Sequence, residues 1–285
     1  MTTRTKRKIV LITGSNSGFG SLIALNLAKS NYIVYATMRN VSNAEQLKTT
    51  AKQLSISDNH LLIHKLDVSK TEDIEAVKKQ ILKKHGRLDI LINNAGFSQG
   101  GVIEDISMDK WEHQFQTNFF GVVAMTKAFI PMMRQARSGK IIQMGSISGR
   151  IGLPGLAPYA ASKFALEGFT ESLRFELKPF QVYSSIIEAG SFRTDIWQKG
   201  FEAAVQSDII DYESLMTFMN KYAQQQMQTS ENPQKVVNLV RYICDHKQPK
   251  FRYQIGKGIK VGIALKSLLP WSIVERVLFK KLNNK

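Results

Sequence analysis

KIVLITGSNSGFG (8–20) is the stretch whose reading decides the fold. KIVLI is a short, continuous apolar run, as expected of a strand covered on both faces. TGSNSGFG (13–20) follows it directly and opens a helical pattern. Gly14, Gly18 and Gly20 let the backbone turn tightly and come close to a pyrophosphate, while Ser17 and Phe19 fill the loop between them. The helix N-terminus then offers oriented N–H donors and the positive end of its dipole. A glycine trio by itself can be a plain turn. Its place immediately after the first strand favours a dinucleotide site.

Outward from this loop, strand-like and helical stretches alternate. YIVYA (32–36), LLIHKL (61–66), LDILI (88–92), KIIQM (140–144), VYSSII (182–187) and FRYQI (251–255) read as further strands. Helical patterns lie near 18–30, 43–54, 70–85, 107–136 and 158–179. Such alternation implies an α/β architecture with a doubly wound parallel sheet. Ser69 followed by Glu72 has the spacing of a capping box, and Pro158 suits the first turn of the last helix in this series. The whole chain, 1–285, reads as a single domain: a core over 8–195, a helical lid over 196–230 rich in Met and Gln, and a C-terminal part over 231–285. The tail is amphipathic and interrupted by Pro270.

Composition narrows the function classes. With 43% hydrophobic residues, 285 residues can bury a substantial core. The single cysteine, Cys244, allows no internal disulfide, which suits a reducing compartment, and the expected location is cytoplasmic. The basic start MTTRTKRK precedes an apolar run too short for a secretory signal, and no stretch is long enough to span a membrane. The net charge of +16 is spread over scattered lysines, without a stripe of arginines and aromatics, so nucleic acid is not expected as a partner. Trp271, Leu278 and Phe279 near Lys280 and Lys281 allow peripheral membrane contact, but packing against the protein itself is favoured. The five histidines have no metal-ligand spacing and read as surface or structural; no metal is expected.

The strand ends carry the candidate cofactor contacts. An NAD site usually has a carboxylate after the second strand. Here YATMRN places Met38 at that point, followed by Arg39, a guanidinium suited to a 2′-phosphate, so NADP is favoured over NAD. Asp67, followed by Val68, ends the third strand, where it can meet an adenine amino group or serve as a turn residue. Asn93, Asn94, Ala95 and Gly96 end the fourth, in position for cofactor contact or for a tight turn.

Tyr159 and Lys163 stand four residues apart on one helical face. Ser146, in MGSISG, follows the fifth strand. With the glycine loop, Asp67, NNAG and Asn118 in this order, the chain resembles the short-chain dehydrogenase/reductase family, which has a Rossmann-like fold. The resemblance covers 8–195. YATMRN and the tail FRYQIGKGIK resemble its hydroxysteroid- and retinol-dehydrogenase-like members. It implies that Tyr159 is the general acid/base, that Lys163 binds the nicotinamide ribose and supports the phenol, that Ser146 polarises the substrate oxygen, and that Asn118 holds a water linked to Lys163. An ammonium at about 4 Å in an effective dielectric near 20 is worth roughly 4 kcal/mol, about three pKa units, so the phenol is expected to be pulled towards working pH. Where the family has Pro-Gly before a threonine, this chain has Ala189, Gly190 and then Thr194. Thr194 is carried over to the carboxamide, with a loosened loop expected. Leu153, Leu156, Phe192, Trp197, Phe201, Met216, Phe218 and Met219 favour a small apolar alcohol or ketone as substrate. The resemblance also implies a homodimer or homotetramer through helices 107–136 and 158–179. A sugar-nucleotide epimerase and a non-catalytic NADP-binding sensor or scaffold are the alternatives.

Overall fold

The structure, a computed structural model, describes residues 7–283. The basic start over 1–6 and the side chain of Lys281 lie outside the described residues. The strands are β1 (Ile9–Ile12), β2 (Ile33–Met38), β3 (Leu61–Lys65), β4 (Ile90–Asn93), β5 (Gly139–Met144), β6 (Val182–Ala189) and β7 (Arg252–Ile255). They form one sheet in the order β3-β2-β1-β4-β5-β6-β7. Every neighbouring pair is parallel, with Val10 opposite Val34 on one side and Ile90 on the other. The helices are α1 (Gly18–Lys29), α2 (Glu45–Gln53), α3 (Thr71–His85), α4 (Met108–Phe115), α5 (Gly121–Gln135), α6 (Ala157–Leu177), α7 (Ile196–Glu202), α8 (Glu213–Thr229), α9 (Gln234–Asp245), α10 (Ile259–Leu268) and α11 (Trp271–Asn283). The architecture is a Rossmann-like doubly wound sheet.

The apolar runs of the strands follow from this layering. Val10 and Ile12 of β1 point to one face, where they join Ile23 and Leu27 of α1 and Val240 and Ile243 of α9. Ile9 and Leu11 point to the other, among Ile81, Phe129, Met133 and Leu173 from α3, α5 and α6. A strand with a core on each side has no solvent face to alternate with.

The strand reversal between β1 and β4 opens a crevice at the C-terminal strand ends. It is the topological switch point, where doubly wound sheets bind ligands. The loops after β1, β2, β3, β4 and β5 converge on this edge and carry the candidate site residues.

Local details differ from the sequence reading in three places. The Ser69–Glu72 capping box does not form: α3 begins at Thr71 with Lys70 as its uncapped N-cap, and the Ser69 hydroxyl donates to Asp67 Oδ1 at 2.7 Å. The long helix over 107–136 is divided by a π-turn (Gln116–Phe120) between α4 and α5. The loop after β6, expected to be loosened by its missing proline, is hydrogen-bonded to the segment around Glu231. Phe192 pairs with Glu231, Arg193 N donates to Glu231 O at 2.8 Å, and the Ser191 and Ser230 hydroxyls are 2.7 Å apart.

Candidate active site

The glycine loop has the backbone its composition demands. Gly14 and Gly18 both have positive φ, +67° and +56°, a region that disfavours side chains. A Cβ on Gly20 would collide with the Gly14 carbonyl oxygen. α1 then starts with no side-chain cap on Ser17 and no acidic residue in its first turn, so its N–H donors and dipole are available to an anion. This cradle fits the diphosphate of a dinucleotide.

The fourth strand end braces the loop. Thr13 Oγ1 accepts from the main-chain N–H groups of Asn94 and Ala95, both at 3.0 Å, and Asn94 Nδ2 donates to the carbonyl oxygens of Thr13 and Gly14, both at 2.9 Å. The Asn94 amide is thus engaged in holding two loops together. Asn93 turns inward and donates to Gln143 Oε1 at 2.9 Å. Phe19 packs edge-on against Phe192. Val68 packs where a side chain on Gly121 would have to go. Val68 is buried and offers a cofactor its main chain, whereas Phe19 is only partly buried.

Arg39 is exposed just beyond β2, whereas Met38 is buried in the core. The solvent-exposed residue at this strand end is therefore Arg39, and an acid at 38 would be buried. Asp67 lies within electrostatic reach of Arg39. Burial alone would raise the Asp67 pKa. Two hydrogen bonds from Ser69, with Arg39 and Lys70 nearby, outweigh it and hold the carboxyl below its usual range.

At the centre, the Lys163 ammonium lies 5.7 Å from the Tyr159 ring centroid and donates to the Met144 carbonyl oxygen at 2.8 Å. Both side chains are on one face of α6, and the last residue of β5 anchors the lysine. The Ser146 hydroxyl lies close enough to the Tyr159 phenol to favour its ionisation, and it accepts from Ser148 N–H at 3.1 Å. The phenol pKa differs from the sequence expectation. Desolvation raises it, and Ser146 only partly offsets this. Burial also brings Lys163 down to about 8, against the pull of Glu167. The cause is desolvation, which disfavours both charged forms and which spacing along a helix does not reveal.

Asn118 lies in the π-turn and is buried. Its Oδ1 accepts from Phe97 N–H at 3.1 Å, and its Nδ2 donates to Phe97 O at 3.0 Å and to Ser162 Oγ at 3.3 Å. The side chain is thus bonded to the backbone after β4 and to the Ser162 hydroxyl of α6. Thr194 lies beside the glycine loop, against Gly18.

An apolar pocket includes Leu156, the N-cap of α6, in its wall. Leu153, Leu156, Trp197, Phe201, Phe218 and Met219 line it, as expected. Phe192 and Met216 do not. Phe192 is buried in the core beneath α1, and Met216 is buried on α8. The sequence reading missed Tyr222, which stacks on Phe218 and meets Trp197 edge-on. It also missed Lys199 of α7, whose Nζ donates to Ser17 Oγ at 3.2 Å and pairs with Asp195 at 3.3 Å. No local signal separates Lys199 from other surface lysines, but an aromatic four residues after Phe218 could have flagged Tyr222.

Comparison with known proteins agrees with this geometry. Residues 8–205 match the sequence model of a family described as short chain dehydrogenase. The chain is 41% identical over 279 residues to an uncharacterised oxidoreductase, YusZ, of Bacillus subtilis, covering 97% of this chain and 99% of that protein. It is 35% identical over 272 residues to a 3-ketodihydrosphingosine reductase of Bacteroides thetaiotaomicron, covering 95% and 96%. A solved short-chain dehydrogenase from Streptomyces avermitilis superposes with a TM-score of 0.77 at 28% identity, covering 95% of this chain and 98% of that one.

Proposed function

The chain belongs to the short-chain dehydrogenase family of oxidoreductases, and from that premise we propose that it moves a hydride between NADP and an apolar secondary alcohol, ketone or aldehyde. A bound nicotinamide dinucleotide would supply the hydride donor or acceptor. Its diphosphate would rest on Gly14, Ser17, Gly18, Phe19 and Gly20, its 2′-phosphate on Arg39, and its adenine near Asp67 and Val68. Asn94, Ala95, Gly96 and Thr194 would border the nicotinamide half. Phosphate and carboxamide recognition by these residues is inferred from their place at the strand ends.

Within this reading Tyr159 gives its phenolic proton to the substrate oxygen during reduction and takes it back during oxidation. Ser146 donates a hydrogen bond at the same point and aligns the oxygen. Lys163, held by the Met144 carbonyl, favours the phenolate as it forms. Asn118 fixes the turn after β4, on which the nicotinamide half depends, and so acts as a positioning residue. The substrate class follows from the pocket: Trp197, Phe201, Phe218 and Tyr222 present aromatic surface, suited to an extended apolar body and not to a sugar. Relatives named for 3-ketodihydrosphingosine, 17-beta-hydroxysteroid and retinol substrates have apolar substrates in common.

The observation that carries the proposal is the grouping of Ser146, Tyr159 and Lys163 at the end of β5 and the start of α6, with Leu156, the N-cap of α6, lining the apolar pocket. NADPH absorbance in the presence of long-chain ketones and aldehydes, read for the wild type and Tyr159→Phe, tests it. The variant should lose about 10²- to 10⁴-fold in kcat and bind NADPH as tightly as before. Full turnover by the variant would remove Tyr159 from the chemistry. Failure of the wild type to oxidise NADPH with any such substrate would favour a scaffold role.

A further inference from the structure

We propose that the C-terminal helices α10 and α11 form a docking surface for an anionic lipid bilayer. The sequence reading favoured packing of this tail against the protein. The structure leaves much of its apolar surface in solvent. Val261, Leu265 and Leu268 recur at spacings of four and three residues, which places them on one face of α10, and all are exposed, Leu268 at 82%. Beyond Pro270, Trp271 is 62% exposed, and Ile273 and Val277 form a second exposed pair one turn apart. The other sides of these helices are engaged. Ile259 packs on Gly190, Ile263 is buried, and α11 rests on α8. The outward apolar stripe is thus surplus to the fold.

Charge identifies the occupant. Between 257 and 280 the chain carries five basic residues, Lys257, Lys260, Lys266, Arg276 and Lys280, against one acid, Glu275. A second copy of the chain docking symmetrically would bring these cations onto one another. A surface of anionic headgroups over acyl chains complements both features, with the exposed Lys257, Lys260 and Lys280 at headgroup level and the Leu, Val and Trp side chains beneath; Lys266 is turned inward, where it donates to the Arg150 carbonyl oxygen. No helix among the described residues is long and apolar enough to cross a membrane, so these helices would lie in the interface. The orientation is specific. α10 packs against the loop holding Ile151, which continues into Leu153 and Leu156 of the pocket, and α11 packs on α8, which supplies Phe218 and Tyr222.

The test is flotation of the full chain with vesicles of phosphatidylcholine alone and of phosphatidylcholine mixed with phosphatidylglycerol. Binding does not depend on turnover, so its outcome is separate from that of the enzymatic reading. The wild type should float with the anionic vesicles only, and less at high salt. Lys257→Gln/Lys260→Gln/Lys280→Gln should weaken partitioning about fivefold per lysine, roughly a hundredfold together. Leu265→Asp/Leu268→Asp should remove it while thermal unfolding stays that of the wild type, because both positions are exposed. The proposal is overturned if the wild type ignores anionic vesicles, if either variant binds as well as the wild type, or if sedimentation shows that the leucine pair joins two copies of the chain.

Discussion

Arg39 shows how one side chain can set cofactor preference. It is exposed at the crevice edge while its neighbour Met38 is buried, so the strand end presents a cation and not an acid. Its charge-assisted bonds to a 2′-phosphate would be worth about 1.5–3 kcal/mol. Arg39→Ala should therefore lower the ratio of kcat/KM for NADP to that for NAD by about 10- to 100-fold, measured with one substrate and both cofactors. Introducing an acid at 38 is a poor test of the same idea, because the carboxylate would enter the core. Tyr159 carries a second lesson at this scale. Its burial works against ionisation, so the residues around it act by orienting a protonated phenol and by stabilising the charge as it develops.

Between elements, one contact ties the lid to the glycine loop and another ties the last strand to the catalytic helix. Lys199 reaches from α7 to Ser17 in the glycine loop. A cation there would face a bound diphosphate, so Lys199→Ala should weaken NADPH binding by about two- to fivefold, an effect lost at high salt, as expected of an exposed charge. On the other flank Arg252 of β7 donates to Glu167 Oε2 and Glu171 Oε2 of α6, at 3.1 and 2.7 Å, and lies 3.3 Å from Glu188 of β6. Burial, followed by the nearby Glu188 carboxylate, raises Glu167 from 4.5 to about 7 despite Arg252 and Arg150. The folded chain then keeps a proton that the unfolded chain releases near 4.5. This contribution to stability is fully present below 4.5 and is lost as pH climbs to about 7. Urea unfolding at pH 5 and pH 7.5 should show the wild type losing on the order of 2 kcal/mol relative to Glu167→Gln over that interval.

For the whole molecule, the large exposed apolar residues outside the tail include Phe120, next to α5, and Phe175 on α6. These are the helical stretches through which the sequence reading expected two or more copies to associate. Burying such side chains is worth about 1.5–3 kcal/mol each. Phe120→Glu/Phe175→Glu should accordingly shift the chain to monomer in sedimentation velocity, with its unfolding temperature little changed at low concentration. The tail surface and this helical face are distinct, so the vesicle experiment and the association experiment can succeed or fail separately.

The sheet was legible in the sequence because a strand buried on both faces must be apolar throughout, and because β1, the glycine loop and α1 follow one another without a gap. The order of Ser146, Tyr159 and Lys163 was equally plain, since helical spacing fixes which side chains share a face. Tertiary structure alone decided the rest. It placed Asp67 near Arg39, turned Phe192 into the core, committed Asn118 to Phe97, brought Lys199 to Ser17 and assembled Arg252 with Glu167, Glu171 and Glu188. It also left the tail's apolar stripe uncovered. Burial and proximity between distant segments arise only when the layers pack, whereas local sequence encodes periodicity and backbone freedom.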